Sequence, residues 1–379
     1  MLHSSSFSKL RTHKSLFFAL SIFAFVVCGI ASAQQQQSQQ PDDPVITVES
    51  NLVQLNVGVV DRTGHAVTTL SQKDFVVYED GVRQTIRSFE PTQAPFSLVI
   101  MLDLSGSTLN FRTQLKMAAL RFLDSLAPDD RVSVVAFWTQ RRVKEPRSVP
   151  HIETLTDFTT DRKKIVFALT ERVPNGSGDT NLYEALRHSM NALSKEGKRR
   201  KAIVVLTDGI DTSLSAEDRA ATITAKTGDE ALASIKPEAN QTLNSVLTAA
   251  DKLGVAIYPL ALPSGDLKRL LDYNRELHGA MPDDPTFNDP TPQQVAVYTA
   301  ARARLDALAN RTGGRLYAIN RLEDLGRQYA EVAAEMRTLY SIAYQVDGSK
   351  TRDGKWRDIR IEVARPELVA RTKPGYYAR

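Results

Sequence analysis

The chain has 379 residues, 24% of them charged, and a formal net charge of +4. Three basic residues, Lys9, Arg11 and Lys14, lie near its start, and subtracting them leaves a charge of only +1. The chain lacks a face of Lys and Arg with interleaved aromatic residues, which argues against nucleic-acid binding. The single cysteine, Cys28, also lies near the start. The rest of the chain therefore has no disulfides, and its stability must come from the size of its core.

The first 33 residues predict a secretory signal peptide. After the basic start, the segment 16–30 is apolar and ends at the small residues Ala-Ser-Ala of positions 31–33, a pattern that is cleaved after Ala33. A retained membrane anchor is the alternative, but the segment is shorter than the roughly 20 residues that a spanning helix needs. Val27, before Cys28, is bulkier than the small residue that a lipoprotein signal requires. We therefore predict a secreted or periplasmic, envelope-located protein without a stable membrane span after cleavage.

A Gln-rich linker at residues 34–44 leads into a β-rich segment at 45–93. Alternating apolar residues predict a first strand within 45–60, and a second strand precedes an Asp-Gly turn at 80–81. A third strand is predicted at 84–89. Three strands of this size cannot easily close a core alone, so we expect further strands from elsewhere in the chain.

The other end of the chain supplies these strands. The segments Tyr340–Val346 and Trp356–Val363 have strand patterns and are separated by two Asp-Gly pairs, which predicts a hairpin. We infer that residues 45–93 and 340–379 form one small β-sandwich. The segment 94–339 is then a domain inserted between its two halves.

The inserted segment alternates strands and helices, as a doubly wound, mostly parallel α/β sheet flanked by helices does. Two parts, 212–240 and 263–292, are polar or rich in Pro and Asp, fit no simple element, and are predicted to be insertions beside the carboxyl ends of the strands. The predicted strands are 98–102, Arg131–Phe137, an antiparallel edge at Arg142–Leu155, 201–208, Val255–Leu262 and Arg315–Ile319. The predicted helices are Thr113–Leu126, Lys163–Arg172, Leu182–Glu196, Thr242–Leu253, Gln293–Arg311 and Leu322–Leu339.

One apolar strand, residues 98–102, is followed by three oxygen-bearing side chains at alternating positions: Asp103, Ser105 and Ser107. The carboxyl end of such a strand is where open α/β sheets place their ligands. One carboxylate and two hydroxyls form a hard, weakly charged set of oxygen ligands, which suits Mg²⁺ or Mn²⁺ better than Zn²⁺. The alternative is a strand that ends in a Ser-rich turn without a metal.

Two further segments complete a recognisable order. A Gly-rich loop at 176–181 contains Thr180, and a second apolar strand, 201–207, runs into Asp208 and Gly209. The order D-x-S-x-S, Gly-rich loop with Thr, and strand-T-D-G resembles the von Willebrand factor type A (VWA) domain. The resemblance implies a metal-ion-dependent adhesion site. Its five members would be Asp103, Ser105, Ser107, Thr180 and Asp208. The three hydroxyls would bind the metal directly, and the two carboxylates partly through waters.

The flanking segments extend the resemblance to nearly the whole mature chain. The pattern V-x-D-R-x-G, followed by L-x-x-x-D-F-x-V-Y-E-D-G, precedes the α/β part, and R-x-x-P-G-Y-Y follows it. These patterns resemble bacterial VWFA-related proteins that are abundant in acidobacteria. This resemblance implies an architecture rather than an activity.

We consider two functions. The resemblance implies a non-enzymatic module that binds a protein ligand, through an acidic side chain, at a divalent cation. The alternative is a Mg²⁺-dependent extracytoplasmic hydrolase. Hydrolysis needs a general base beside the metal, but the sequence fixes no His or Glu there. The four histidines of the mature chain (His65, His151, His188 and His278) show no metal-binding spacing.

Overall fold

The computed structural model describes residues 52–140, 149–176, 178–197, 199–236, 241–262, 290–346 and 353–378. The predicted signal peptide, the Gln-rich linker and residues 263–289 of the second predicted insertion lie outside these residues. Among the helices of the described ranges, none has both the length and the apolar character needed to cross a membrane.

The described elements alternate through the middle of the chain and are mostly strands at its two ends. The strands are β1 (Leu52–Val60), β2 (Phe75–Glu79), β3 (Val82–Gln84), β4 (Ile86–Glu90), β5 (Phe96–Asp103), β6 (Arg131–Gln140), β7 (Val149–Thr159), β8 (Arg200–Thr207), β9 (Val255–Ala261), β10 (Tyr317–Ala318), β11 (Leu339–Gln345), β12 (Trp356–Val363), β13 (Val369–Arg371) and β14 (Gly375–Tyr377). The α-helices are α1 (Arg112–Asp124), α2 (Arg162–Glu171), α3 (Leu182–Ser194), α4 (Thr212–Thr222), α5 (Gly228–Ser234), α6 (Gln241–Leu253), α7 (Pro292–Thr312) and α8 (Leu325–Met336).

A six-stranded sheet with the order β10-β9-β8-β5-β6-β7 forms the centre of the α/β part. Its strands are parallel except for β7, which pairs antiparallel with β6. Every residue of β5 and β8 is buried, because helices cover both faces of the sheet. Helices α1, α2 and α8 pack on one face, and α3, α6 and α7 pack on the other. The predicted doubly wound fold is confirmed.

The two chain ends form two four-stranded sheets, with the orders β13-β1-β11-β4 and β14-β12-β2-β3. Their side chains meet in one buried cluster that combines Leu55 and Val77 from the first end with Tyr344 and Ile359 from the second. The pairing of β11 with β1 runs over seven residue pairs. Strands from both ends therefore share sheets and a core, as the small β-sandwich requires.

The predicted hairpin of Tyr340–Val346 and Trp356–Val363 is wrong. Strand β11 pairs with β1 and β4, whereas β12 pairs with β2 and β14 in the other sheet. The connection between them is long enough to cross from one sheet to the other. The predicted third strand at 84–89 is divided in the same way, because β3 belongs to one sheet and β4 to the other.

The segment 212–240 was expected to contain no simple element, and this expectation is wrong. It contains α4 and α5. The Asp211 carboxylate caps α4 by accepting hydrogen bonds from the backbone N–H groups of Ser213 and Leu214, and Thr227 caps α5. Both helices bury few apolar residues, so their hydrophobic period is weak in the sequence.

Two predicted boundaries also need correction. The predicted helix Leu322–Leu339 begins as a 3₁₀ turn at Leu322–Asp324, continues as α8 and ends at Met336. Strand β11 already begins at Leu339. The edge strand predicted at Arg142–Leu155 is β7, whose described part starts at Val149 and extends to Thr159.

Buried Arg200, the first residue of β8, connects the segment that leads into the α/β part with the end of its last helix, α8. Its guanidinium donates hydrogen bonds to the carbonyl oxygens of Thr92 and Ala94, before β5, and to that of Met336, at the end of α8. It also lies 3.9 Å from the ring centre of Phe96. Burial lowers the pKa of Arg200 to about 10, so the side chain keeps its charge at neutral pH.

The shared sandwich core predicts long-range effects of a single substitution. Ile342 in β11 is fully buried and lies opposite Leu55 of β1 and Phe89 of β4. We expect Ile342→Ala to lower the free energy of unfolding by about 2–5 kcal/mol. Hydrogen exchange should become faster in both 52–60 and 86–90. Val369→Ala, at a side chain that is 55% exposed, is the control and should change stability by less than about 0.5 kcal/mol. Unchanged exchange in these strands would contradict a shared core.

Candidate metal centre

The pairing of β5 with β8 places two carboxylates at the same edge of the central sheet. The two strands are parallel, and Leu102 lies opposite Leu206. Asp103, the last residue of β5, and Asp208, just after β8, therefore come together at the carboxyl ends of their strands. The Thr207 hydroxyl fixes this arrangement by donating a 2.8 Å hydrogen bond to Oδ2 of Asp103.

The loop after β5 is held in shape by its own hydroxyl and carboxylate groups. The backbone N–H of Ser105 donates to Oδ1 of Asp103 at 3.0 Å. The Thr108 hydroxyl donates to the carbonyl oxygens of Asp103 and Ser105, which closes the 3₁₀ turn that follows. A 2.8 Å hydrogen bond from the backbone N–H of Gly106 to the carbonyl oxygen of Gly178 ties this turn to the Gly-rich loop.

Four of the five predicted metal ligands form one hydrogen-bonded chain. The hydroxyls of Ser105 and Ser107 are 3.1 Å apart, and the Ser107 hydroxyl donates to Oδ2 of Asp208 at 2.6 Å. Asp103, Ser105 and Asp208 are buried, whereas Ser107 is exposed. The oxygen cluster therefore opens to solvent at Ser107.

The fifth predicted residue, Thr180, is buried in the adjacent loop. Its backbone N–H donates to the hydroxyl of Thr212, and its carbonyl oxygen accepts from the N–H of Thr212. These bonds tie the loop to the segment just after Asp208. Gly178 has a φ of +100°, and a Cβ there would lie 2.6 Å from the carbonyl oxygen of Thr139, so this loop position requires glycine. The structure places Thr180 at the same rim, without a side-chain hydrogen bond to the other four.

The charges at this site are unbalanced. Burial, reinforced by the charge of Asp208, raises the pKa of Asp103 to about 7. Burial also raises the pKa of Asp208. Within the described part of the chain, neither carboxylate has an ion pair with a basic residue. Two buried carboxylates beside hydroxyl oxygens fit a hard divalent cation, which would supply the positive charge that the site lacks.

The described residues contain no group of three or more His, Cys, Asp or Glu side chains that could hold a metal. The site therefore differs from a zinc site made of His and Cys ligands. Its ligand atoms would be hydroxyl and carboxylate oxygens, which Mg²⁺ and Mn²⁺ prefer.

Arg112 is a residue of this region that the sequence reasoning missed. Its guanidinium donates to the carbonyl oxygens of Leu104, in the loop after β5, and of Gly176, in the Gly-rich loop. Burial lowers the pKa of Arg112, and the charge of Asp103 partly reverses this effect. Arg112 thus positions two loops of the site. The sequence signal that could have identified Arg112 is its position at the start of the helix that follows the D-x-S-x-S motif.

A comparison with protein families agrees with this geometry. Residues 98–211 match the family model of the von Willebrand factor type A domain. This part of the chain is similar to a VWA domain, and it contains all five predicted metal ligands. The more specific resemblance to acidobacterial proteins stays a prediction. No curated protein matches the chain.

Several solved structures are similar in fold. An aerotolerance-related membrane protein from Bacteroides fragilis NCTC 9343 has 14% identity and a TM-score of 0.37, over 64% of this chain and 98% of that chain. A von Willebrand factor type A protein from Catenulispora acidiphila has 12% identity and a TM-score of 0.39, over 87% and 74%. Proximal thread matrix protein 1 from the mussel byssus, with a zinc-occupied MIDAS motif, has 13% identity and a TM-score of 0.40, over 67% and 49%. These values are too low to transfer a site or a function.

The raised pKa of Asp103 predicts how stability depends on pH when the metal is removed by a chelator. The folded-state value lies above the ordinary value of 3.8, so the folded protein holds this proton more tightly than the unfolded chain. Stability should therefore fall as the pH rises from about 4 to about 7, by roughly 1–4 kcal/mol. Asp103→Asn should reduce this fall, as measured by urea unfolding in chelator, and the part that remains is due to the raised pKa of Asp208.

The control for this prediction is Asp157→Asn, which removes the same charge from an exposed position on β7. It should keep the pH dependence of the unmodified protein. If Asp103→Asn and Asp157→Asn lose stability equally between pH 4 and pH 7, the buried carboxylate is not the cause.

Proposed function

We propose that this protein is a metal-ion-dependent binding module, which engages a protein ligand through a divalent cation at the carboxyl end of its central sheet. The observation that carries the proposal is the pair of buried carboxylates, Asp103 and Asp208, joined through the hydroxyls of Ser105 and Ser107. This arrangement is costly without a cation and favourable with one. It lies inside the part of the chain that matches the VWA domain.

Each of the five residues has a distinct role in this proposal. Ser105, Ser107 and Thr180 would bind Mg²⁺ or Mn²⁺ through their hydroxyl oxygens. Asp103 and Asp208 would act partly through waters and would supply the negative charge. Because the direct ligands are neutral, the cation would keep a strong attraction for an anion from outside. The ligand group we expect is a carboxylate of an Asp or Glu side chain.

VWA domains are generally adhesion or interaction modules, and the chemistry of this site favours binding over hydrolysis. A hydrolase needs a general base within reach of the metal. The described histidines have other neighbours: His65 contacts Thr63, His151 packs against Trp138, and His188 contacts Thr154. None of them contacts the oxygen cluster. We therefore propose a non-enzymatic function.

The proposal includes an extracytoplasmic location. It rests on the signal-peptide pattern with cleavage after Ala33. An adhesion or binding module of the cell envelope would need this location to meet its ligand.

Isothermal titration with Mg²⁺ tests the metal centre. We expect the unmodified full chain to bind one Mg²⁺, and the variant Asp103→Ala, Asp208→Ala to lose this binding, because it removes both negative charges. The site is at an edge of the sheet, and the removed carboxylates repel each other. The variant should therefore keep the circular dichroism spectrum of the folded protein.

The matched control removes two acidic groups elsewhere. Asp129→Ala, Asp157→Ala replaces two exposed carboxylates outside the site and should bind Mg²⁺ as the unmodified protein does. Equal Mg²⁺ affinity in the unmodified protein and in the Asp103→Ala, Asp208→Ala variant would refute the metal centre, and with it the proposed function.

A further inference from the structure

Three helices, α4, α5 and α7, pack together next to the turn that carries Asp208. Helix α7 packs against α5 and the residue after it through a separate apolar cluster, which includes Ala231 and Ile235 on the one side and Val297 and Ala300 on the other, and it also contacts α4. This cluster lies outside the two clusters that cover the central sheet. The first turns of α7 therefore pack against these helices rather than on the sheet.

Two contacts fix α4 and α7 relative to Asp208. Gly209, the next residue, has a φ of +85°, and a Cβ there would lie 2.6 Å from the side chain of Leu305 in α7. The buried guanidinium of Arg304 donates two hydrogen bonds, at 2.6 and 2.7 Å, to the carboxylate of Asp218 in α4. A bidentate buried ion pair holds both partners in one orientation. Helices α4 and α7 are therefore locked to the turn that carries Asp208.

The course of α7 places Tyr298 above this turn. The helix ends at Thr312, and the following Gly313 lies close to Asn56 of β1, at the amino-end side of the sheet. Its first turns consequently lie on the side of the metal centre. Tyr298 precedes Leu305 by seven residues, which is about two helical turns, so both side chains share one face of the helix. Tyr298 lies about 10 Å further along the axis, beyond the edge of the sheet.

The electrostatics agree with this position. Burial raises the pKa of Tyr298 most, the charge of Asp208 raises it further, and the charge of Arg219 lowers it. Both charged residues are next to contacts with α7: Asp208 precedes Gly209, which lies against Leu305, and Arg219 follows Asp218, which pairs with Arg304. Arg219 is exposed on α4, directly after Asp218, whose charge is already neutralised by Arg304.

Both groups have free hydrogen-bonding capacity towards a ligand. Within the described ranges, the guanidinium of Arg219 forms no ion pair, and the hydroxyl of Tyr298 forms no hydrogen bond. Asp218, the acid next to Arg219 in sequence, already pairs with Arg304. Glu217 precedes Arg219 by two residues, and such residues are about 200° apart on a helix. A cation and an O–H donor are thus available beside the metal centre.

We propose that Arg219 and Tyr298 form a second ligand contact next to the metal, and that the partner is a peptide segment with two acidic side chains. This inference rests on the proposed metal-dependent function. The first carboxylate would bind the cation. The second would accept hydrogen bonds from the guanidinium of Arg219 and the hydroxyl of Tyr298. The charges are complementary, because a cation and Arg219 would each meet one negative group.

Fluorescence anisotropy with defined peptides tests the proposal. The probes are labelled, acetylated and amidated peptides with two Asp residues separated by zero to three Gly residues, and matched peptides in which one Asp is replaced by Asn. With the full chain and Mg²⁺, the best two-acid peptide should bind roughly fivefold or more tightly than its one-acid match. Arg219→Gln should remove this preference, and Arg219→Lys should restore part of it. Tyr298→Phe should reduce it by roughly twofold or more.

The controls separate this inference from the proposed function. Arg62→Gln removes the same charge from an exposed position in the β-sandwich and should leave the preference unchanged. If Mg²⁺ binds but the preference is absent, or persists fully in Arg219→Gln, the second contact is refuted and the metal centre stands. If the unmodified protein does not bind Mg²⁺ in isothermal titration, both the proposed function and this inference fail.

Discussion

The adjacency of β5 and β8 is the constraint on which the rest of the site depends. It brings Asp103 and Asp208 to one point and buries both of them. The two carboxylates repel each other, since the charge of Asp208 adds to the effect of burial in raising the pKa of Asp103. Hydrogen bonds from Thr207, from Ser107 and from the backbone N–H of Ile210 offset part of this cost. A bound cation would offset the remaining imbalance of charge.

The local conformations around the two carboxylates provide hydrogen bonds to the buried charges and leave them without an ion pair. The loop after β5 turns back so that the Ser105 N–H meets the carboxylate of Asp103. Arg112 anchors the same loop through two carbonyl oxygens rather than by pairing with a carboxylate. Arg112 therefore organises the backbone of the site without an ion pair to Asp103 or Asp208. The negative charge stays available to a metal.

The parts that could be predicted from sequence are those with strong local signals. The apolar runs of β5 and β8 are buried on both faces, so their ends, Asp103 and Asp208, could be placed at one edge of a parallel sheet. The strands that pair with β11 and β12 could not be predicted from the sequence. They are β1 and β2, which lie more than 250 residues away in the chain. Helices α4 and α5 were missed because caps and one buried ion pair, rather than a broad apolar face, stabilise them.

The β-sandwich attaches to the end of the central sheet opposite the metal centre. Asn56 of β1 contacts the carbonyl oxygens of Gly254 and Thr312, next to the start of β9 and at the end of α7. Lys373 and Arg311 both pair with Asp251 on the same side. The attachment of the sandwich and the binding of a ligand at the metal therefore use different surfaces. The sandwich can hold the α/β domain without competing for the ligand.

The proposed metal centre would give affinity for carboxylates in general, and specificity would come from what surrounds it. In this chain the surroundings include the segment whose polar composition made it look like an unstructured insertion. Its helices α4 and α5 are locked to α7 by the buried Arg304–Asp218 pair, so the side chains they present are held at a fixed position relative to Asp208. The same low apolar content that hides these helices in the sequence goes with several exposed charged side chains, Arg219 among them. A segment that contributes little to the core is thereby suited to distinguish one acidic partner from another.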